Sequence, residues 1–223
     1  MFKHIDVPDL PVVTEEHSAT GKHFYKTPEG VVYPSITTML GHKEKPHLKE
    51  WRNMLGPKAA DKETKRCADR GTAVHALAEK YLNNEPYPAF TKGYKREYIA
   101  DFNKLKFRLN KVNNIRGQEL ALYSDTLRLA GRVDCVGEYE GILSIIDFKT
   151  STNNKDKDMI FDYFLQTTAY AIMWFEMTGE AIEDVVIMMT VEKGMAPMVF
   201  KEKIDKYVSP LLQRIDEYYQ GKK

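Results

Sequence analysis

The stretch Leu143-Ser144-Ile145-Ile146-Asp147-Phe148-Lys149-Thr150 constrains the fold more than any other part of the chain. A short apolar run of this kind predicts a buried strand, yet it ends in an acid and a base. Side chains alternate faces along a strand, so Asp147 and Lys149 project together and Phe148 points the other way. Buried charges need a partner or a metal. The segment before it, Leu127–Tyr139, also reads as a strand, and Glu140-Gly141 between the two suits a two-residue hairpin turn. Across such a turn, paired positions keep a constant sum, and 134 with 147 matches 140 with 141. Asp134 is therefore expected directly opposite Asp147, on one face of the sheet.

Facing carboxylates repel unless one is protonated or a cation lies between them. A hard divalent ion such as Mg²⁺ or Mn²⁺ takes oxygen ligands of this kind while keeping waters. Lys149 beside it would orient or deprotonate a water and stabilise charge on a phosphate, a combination suited to phosphodiester hydrolysis. A plain structural ion pair is the alternative for the same residues.

The rest of the chain reads as a mixed α/β protein, a central sheet flanked by helices. Residues 1–30 read as loop or a short hairpin over the core. Ser35 is placed to cap a helix over the following residues. Helices are expected around 47–55, carrying Trp51, and over 58–83. In 94–112, Tyr98, Phe102, Leu105, Leu109 and Val112 form one apolar helical stripe. Strands at Gln118–Ser124, Leu127–Tyr139 and Ile142–Thr150 are linked by turns at Asp125-Thr126 and Glu140-Gly141. A crossover helix at about 158–177, strands at Asp184–Val191 and Met198–Phe200, and a last helix with Ile204, Val208, Leu211 and Ile215 follow. With 223 residues, one domain is expected: an N-terminal helical part, 1–115, covering the substrate, and a catalytic sheet with its helices, 116–223.

Net charge is only +1, but segment 41–70 carries nine Lys/Arg against five acids and 91–116 carries eight against two. That asymmetry suits a phosphate-tracking channel beside an acidic metal site, or simply solvated helix faces. No run has the length and apolarity of a membrane span, and the start of the chain does not read as a signal peptide. A cytoplasmic protein, monomeric by default, is the expectation. Cys67 and Cys135 are too few for a disulfide framework or a four-thiolate site and read as small core residues.

Asp134 followed by Asp147-Phe148-Lys149 resembles the PD-(D/E)XK nuclease superfamily. Arg70-Gly71-Thr72-Ala73-Val74-His75 and Gln166-Thr167-Thr168-Ala169-Tyr170 look like the motifs of its RecB-like exonuclease branch. The run Gly131–Gly137 leading to Ile146–Ser151 is most similar to mitochondrial genome-maintenance exonucleases and their phage-encoded relatives. The resemblance implies a restriction-endonuclease-like core and DNA, single-stranded with a free end, as substrate. It also implies Mg²⁺ or Mn²⁺ held by His75, Asp134, Asp147 and the Phe148 carbonyl, with Lys149 assisting water attack and Gln166 and Tyr170 flanking the site. Two cysteines exclude the Fe–S-bearing subgroup. A structure-selective endonuclease and a non-catalytic DNA-end-binding subunit are the alternatives on this fold; a hydrolase of small phosphoesters is another.

Several residues keep two readings. His75 with Glu79 one turn on is a metal ligand or an ordinary helical histidine. Glu119 is a further carboxylate near the metal or, across a tight Asp125-Thr126 turn, the ion-pair partner of Arg132. Ser35 and Thr37 bond a phosphate or cap a helix. Arg70 reaches a phosphate or is solvated. Gln166 orients Lys149, water or phosphate, and Tyr170 supports a nucleotide, unless both only pack. Tyr33 and Trp51 stack on bases, or, as favoured for Trp51, pack in the core.

Overall fold

The computed structural model describes residues 1–18, 21–43 and 46–221; Glu44 and Lys45, counted above in the basic segment, lie outside them. Three short strands come first, β1 (Thr14–His17), β2 (His23–Lys26) and β3 (Val32–Pro34), and pair as a small antiparallel sheet. Residues 1–30 thus hold the expected short hairpin, β1 with β2, and β3 extends it by a third strand just beyond them. Four helices follow: α1 (Ile36–Leu40), α2 (Pro46–Leu55), α3 (Pro57–Leu82) and α4 (Arg96–Leu109). Pro57 opens α3 where its missing N–H costs nothing.

The main sheet holds β4 (Val112–Ser124), β5 (Leu129–Tyr139), β6 (Ile142–Ser151), β7 (Asp184–Val191) and β8 (Met198–Lys203), in that spatial order. All pairs are antiparallel except β6 with β7. A parallel pair needs a crossover, and α5 (Phe161–Thr178) supplies it; α6 (Asp205–Gln220) closes the chain. This is the expected mixed α/β sheet flanked by helices.

Two apolar layers sandwich the sheet. Helices α1, α5 and α6 bring Ile36, Met39, Phe164, Trp174 and Leu211 against Ile145, Val185 and Ile187. Helices α3 and α4 bring Val74, Leu77, Phe102 and Leu105 against Ile146, Phe148, Val186 and Met188. Strand β7, covered on both faces, is apolar at nearly every position for that reason. Val112, read as the last member of the α4 stripe, instead opens β4 but stays in the same apolar layer.

The two turns flanking β5 set the site. The Glu140-Gly141 turn is the predicted two-residue one, with φ of 54° and 83°, the left-handed pair that a type I′ hairpin requires. It fixes Tyr139 opposite Ile142 and carries the expected register as far as Cys135 opposite Ile146. The other turn is longer than expected. Residues 125–128 form it, with Ser124 paired to Leu129, Arg128 left-handed at φ 54° and the Leu127 N–H donating to Ser124 Oγ at 2.8 Å. The register between β4 and β5 is therefore shifted by two. Arg132 faces Ala121 rather than Glu119.

No described helix is long and apolar enough to cross a membrane.

Candidate active site

The site lies where β5 and β6 part. Below Cys135 the regular ladder stops, and Asp134 spans the gap with its side chain: the Phe148 N–H donates to Asp134 Oδ2 at 2.6 Å. The two carboxylates are thus brought together as the turn arithmetic required, with Asp134 reaching the next strand's backbone instead of forming a simple cross-strand pair. Asp147 and Lys149 share a face as predicted, and Lys149 Nζ lies 2.5 Å from Asp147 Oδ2. The Phe148 ring points the other way and meets the His75 ring edge-on at 6.1 Å.

His75 comes in from α3, with Nδ1 3.4 Å from Asp134 Oδ1. Glu119 comes from β4. It occupies a left-handed conformation, φ 51°, which kinks the strand between Gln118, opposite Cys135, and Leu120, opposite Val133. Cys135 belongs to the α3–α4 layer while Leu120 and Val133 belong to the α1–α5–α6 layer. Both strands therefore change face at Glu119 and Asp134, and both side chains enter one cleft. Ligand atoms of His75, Glu119 and Asp134 all lie within 4.8 Å of one another. The Glu119–Arg132 ion pair does not form; Arg132 instead donates to the Glu119 carbonyl at 2.9 Å and to Glu15 at 3.2 Å.

The electrostatics are those of a site built for a cation. Burial raises the Asp147 carboxyl to about 6, against the pull of Lys149. Burial and the nearby Asp134 raise Glu119 to about 7. Burial also works against the Asp134 carboxylate, but His75, Lys149 and the Phe148 N–H outweigh it and hold its pKa below the ordinary value. Desolvation of His75 is likewise outweighed, chiefly by Asp134, so its pKa is raised. Lys149, desolvated yet beside Asp147 and Asp134, is held above its usual value. Both Asp147 oxygens are buried without an aligned hydrogen bond from any described residue. A buried carboxylate met by one ion pair and no aligned hydrogen bond among the described residues is under-satisfied, which is costly. Together with one imidazole and two more carboxylates, it fits Mg²⁺ or Mn²⁺.

A cavity of about 930 Å³ opens over this group. Its charged lining is largely acidic, with Glu15, Glu79, Glu119 and Asp134 against Arg132, so a phosphate would need a bound cation to enter. Gln166 and Tyr170, one turn apart on α5, also line it, and Gln166 Nε2 donates to the Tyr170 hydroxyl at 3.0 Å. Gln166 thus positions Tyr170; Lys149 is covered instead by Tyr163, whose ring centroid is 5.0 Å from Nζ. Tyr163 escaped the sequence reading, although its spacing of three and seven from Gln166 and Tyr170 puts it on their helical face. Gly131 is required where Tyr170 crosses β5, since a Cβ there would sit 2.8 Å from the ring.

Other candidates move. Arg70 is 2% exposed and donates to Asp101 Oδ2 at 2.5 Å and to the Ser151 carbonyl at 3.2 Å. Five helical positions from His75 it points at α4 and the end of β6, so it is neither solvated nor presented to a phosphate. Ser35 Oγ accepts from the Thr38 N–H at 3.0 Å as the α1 cap, and α1 has only five residues. Thr37 is exposed at the cavity. Trp51 is half-buried outside both apolar layers, in a groove with Lys62, Arg66, Lys95 and Tyr98, rather than in the core. Tyr33 donates to Asp125 at 2.7 Å. Cys135 is buried and Cys67 half-buried.

The basic segments do not form the cavity wall. Among the described residues of 41–70 only Ala68 lines it, and none of 91–116 does. Arg52, Arg66, Lys104, Lys111 and Arg116 are instead paired with Asp61, Glu192, Asp101, Glu140 and Glu138. Counting charge within each segment leaves out Glu192, Glu140 and Glu138, which lie elsewhere along the chain, whereas Asp61 and Asp101 are acids of the segments themselves.

The chain is similar to several known proteins. Mitochondrial genome maintenance exonuclease 1 of Mus musculus is 26% identical over 213 residues, covering 85% of this chain and 60% of the mouse protein. Its Homo sapiens counterpart is 32% identical over 130 residues, covering 52% of this chain and 35% of the human one. The chain therefore spans less than two thirds of these relatives. A Eubacterium rectale crystal structure superposes with a TM-score of 0.44 at 10% identity over 68% of each chain. The family model for the PD-(D/E)XK nuclease superfamily matches residues 90–218, more than half of the chain and all of the sheet that carries Asp134, Asp147 and Lys149, so the chain belongs to that superfamily.

Proposed function

We propose that the chain is a divalent-metal-dependent deoxyribonuclease that degrades single-stranded DNA from a free end, in replication, recombination or repair. The observation that carries this reading is the convergence of Asp134, Asp147, Lys149 and His75 where β5 and β6 separate. Asp134, Asp147, His75 and the Phe148 carbonyl would hold the ion, with Glu119 as a further carboxylate. Bound there, Mg²⁺ or Mn²⁺ would polarise the scissile phosphate and acidify a water.

Lys149 stays protonated beside Asp147, so its part is to orient the water and neutralise charge on the phosphate rather than to remove a proton. Tyr170, whose pKa burial raises well above 10, also keeps its proton; with Gln166 donating to its oxygen, its O–H is left to donate to a phosphate or sugar. Thr37 offers a second hydroxyl at the cavity. A single strand is favoured because the cavity is a cleft beside buried chemistry, and because half-buried Trp51 among lysines offers a base a stacking surface.

The test is digestion of end-labelled single-stranded DNA with Mg²⁺, Mn²⁺ or chelator, beside a circular strand of the same sequence. Metal-dependent loss of the linear substrate alone is expected. Cleavage of the circle would establish an endonuclease instead, and full activity of Asp147→Ala and Lys149→Ala would remove the assignment.

A further inference from the structure

A second set of ligating side chains lies on the N-terminal hairpin, at the rim of the same cavity. Glu15 and His17 are two apart on β1 and share a face, and His17 is paired directly with His23 of β2. The two imidazoles meet edge to face with centroids 4.5 Å apart. One ligand atom from each of Glu15, His17 and His23 lies within 4.8 Å of the other two. Among the described residues one hydrogen bond links the three side chains: His23 Nδ1 and Glu15 Oε1 are 2.7 Å apart. His17 Nε2 stands 3.8 Å from the same oxygen, too far to bond it. The other Glu15 oxygen accepts from Arg132 at 3.2 Å, which fixes the carboxylate's orientation as an outer partner of a metal ligand does. Side-chain exposures of 57% for His17 and 47% for His23 leave the group open to solvent.

We propose that Glu15, His17 and His23 form a second metal site, separate from the Asp134–Asp147 centre, that takes a borderline transition-metal ion such as Zn²⁺. Two imidazoles with one carboxylate suit Zn²⁺ or Co²⁺ and discriminate against Mg²⁺, which prefers an all-oxygen shell. Three protein ligands leave a position for water. The ion would replace the His23–Glu15 hydrogen bond and tie β1 to β2, while Arg132 links that clamp to β5 two residues before Asp134.

The test is titration of the metal-stripped full chain with Co²⁺, followed by visible absorption, and with Zn²⁺, followed by calorimetry. Two classes of site are expected in the wild type. His17→Ala and His17→Gln should each weaken one class at least ~10-fold and leave the other, whereas Asp134→Asn with Asp147→Asn should do the reverse. His17→Gln keeps a polar side chain of similar reach on an exposed strand, so its circular dichroism should match the wild type and separate ligand loss from misfolding. Unchanged Zn²⁺ stoichiometry and an unchanged Co²⁺ spectrum in folded His17→Gln would overturn the proposal. Because the readout is binding at the hairpin, it is independent of whether the chain cleaves DNA.

Discussion

Replacing Asp147 by Asn should make the metal-free protein more stable while destroying its activity. The carboxyl titrates at 3.8 when unfolded and at about 6 in place, because burial outweighs the attraction of Lys149. Above pH 6 both states are ionised, and the native state carries a penalty of about 3 kcal/mol, at 1.36 kcal/mol per tenfold change in proton affinity. As the pH falls through 6 towards 3.8, the native carboxyl protonates first and the penalty disappears. Asn resembles the protonated form in shape and is neutral throughout. Asp147→Asn should therefore exceed the wild type by about 3 kcal/mol at pH 7.5 in chelator, with the two converging near pH 4. For a chain of this length that is roughly 6–12 °C in Tm. The assay is urea or thermal unfolding in chelator across that pH range, with nuclease activity measured in parallel. Equal or lower stability of the variant at pH 7.5 would refute the claim that burial of this carboxylate outweighs its pairing with Lys149 in the metal-free chain.

The remaining predictions follow from the same geometry. Glu119→Gln should also stabilise the metal-free chain above pH 7, since burial raises Glu119 to about 7; it should weaken Mn²⁺ binding measured by calorimetry, and unchanged affinity would remove Glu119 from the metal site. Gly131→Ala forces the Tyr170 ring aside and should cost about 1–3 kcal/mol in urea unfolding, with a larger loss of kcat than Thr37→Ala shows. Arg70→Met leaves Asp101 with Lys104 as its one charged partner among the described residues and should destabilise by about 3–5 kcal/mol; if it instead left stability intact and weakened DNA binding, the phosphate role of Arg70 would return. Adding Mg²⁺ should raise the wild-type Tm and do so far less in Asp134→Asn, read by differential scanning fluorimetry.

Much of the fold was legible because its signals are local. The period of Tyr98, Phe102, Leu105 and Leu109 reports α4, and the fully apolar β7 reports a strand covered on both faces. Where the reading missed, the deciding contact was distant. Trp51 looks like a core residue from its place on an amphipathic helix, but nothing along the chain says which helix covers it. Arg66, Lys111 and Arg116 look like cationic surface until Glu192, Glu140 and Glu138 are seen beside them.

Asp134 and Asp147 show what the sequence alone determines. Gly141 accepts left-handed backbone freely, and the short turn it allows after Glu140 sets a register six residues away on either strand. Glu119 shows what only the tertiary structure decides. Its place depends on a four-residue turn closed by Ser124 and Arg128, and on a left-handed kink at Glu119 itself, neither of which has a Gly or Asn-Gly signature. Arg70 is the same lesson in charge: the motif places it near His75 along the chain, but its rotation about the α3 axis hands it to Asp101. Turn chemistry is encoded by adjacent residues, whereas ion pairs and burial are settled only when distant segments meet.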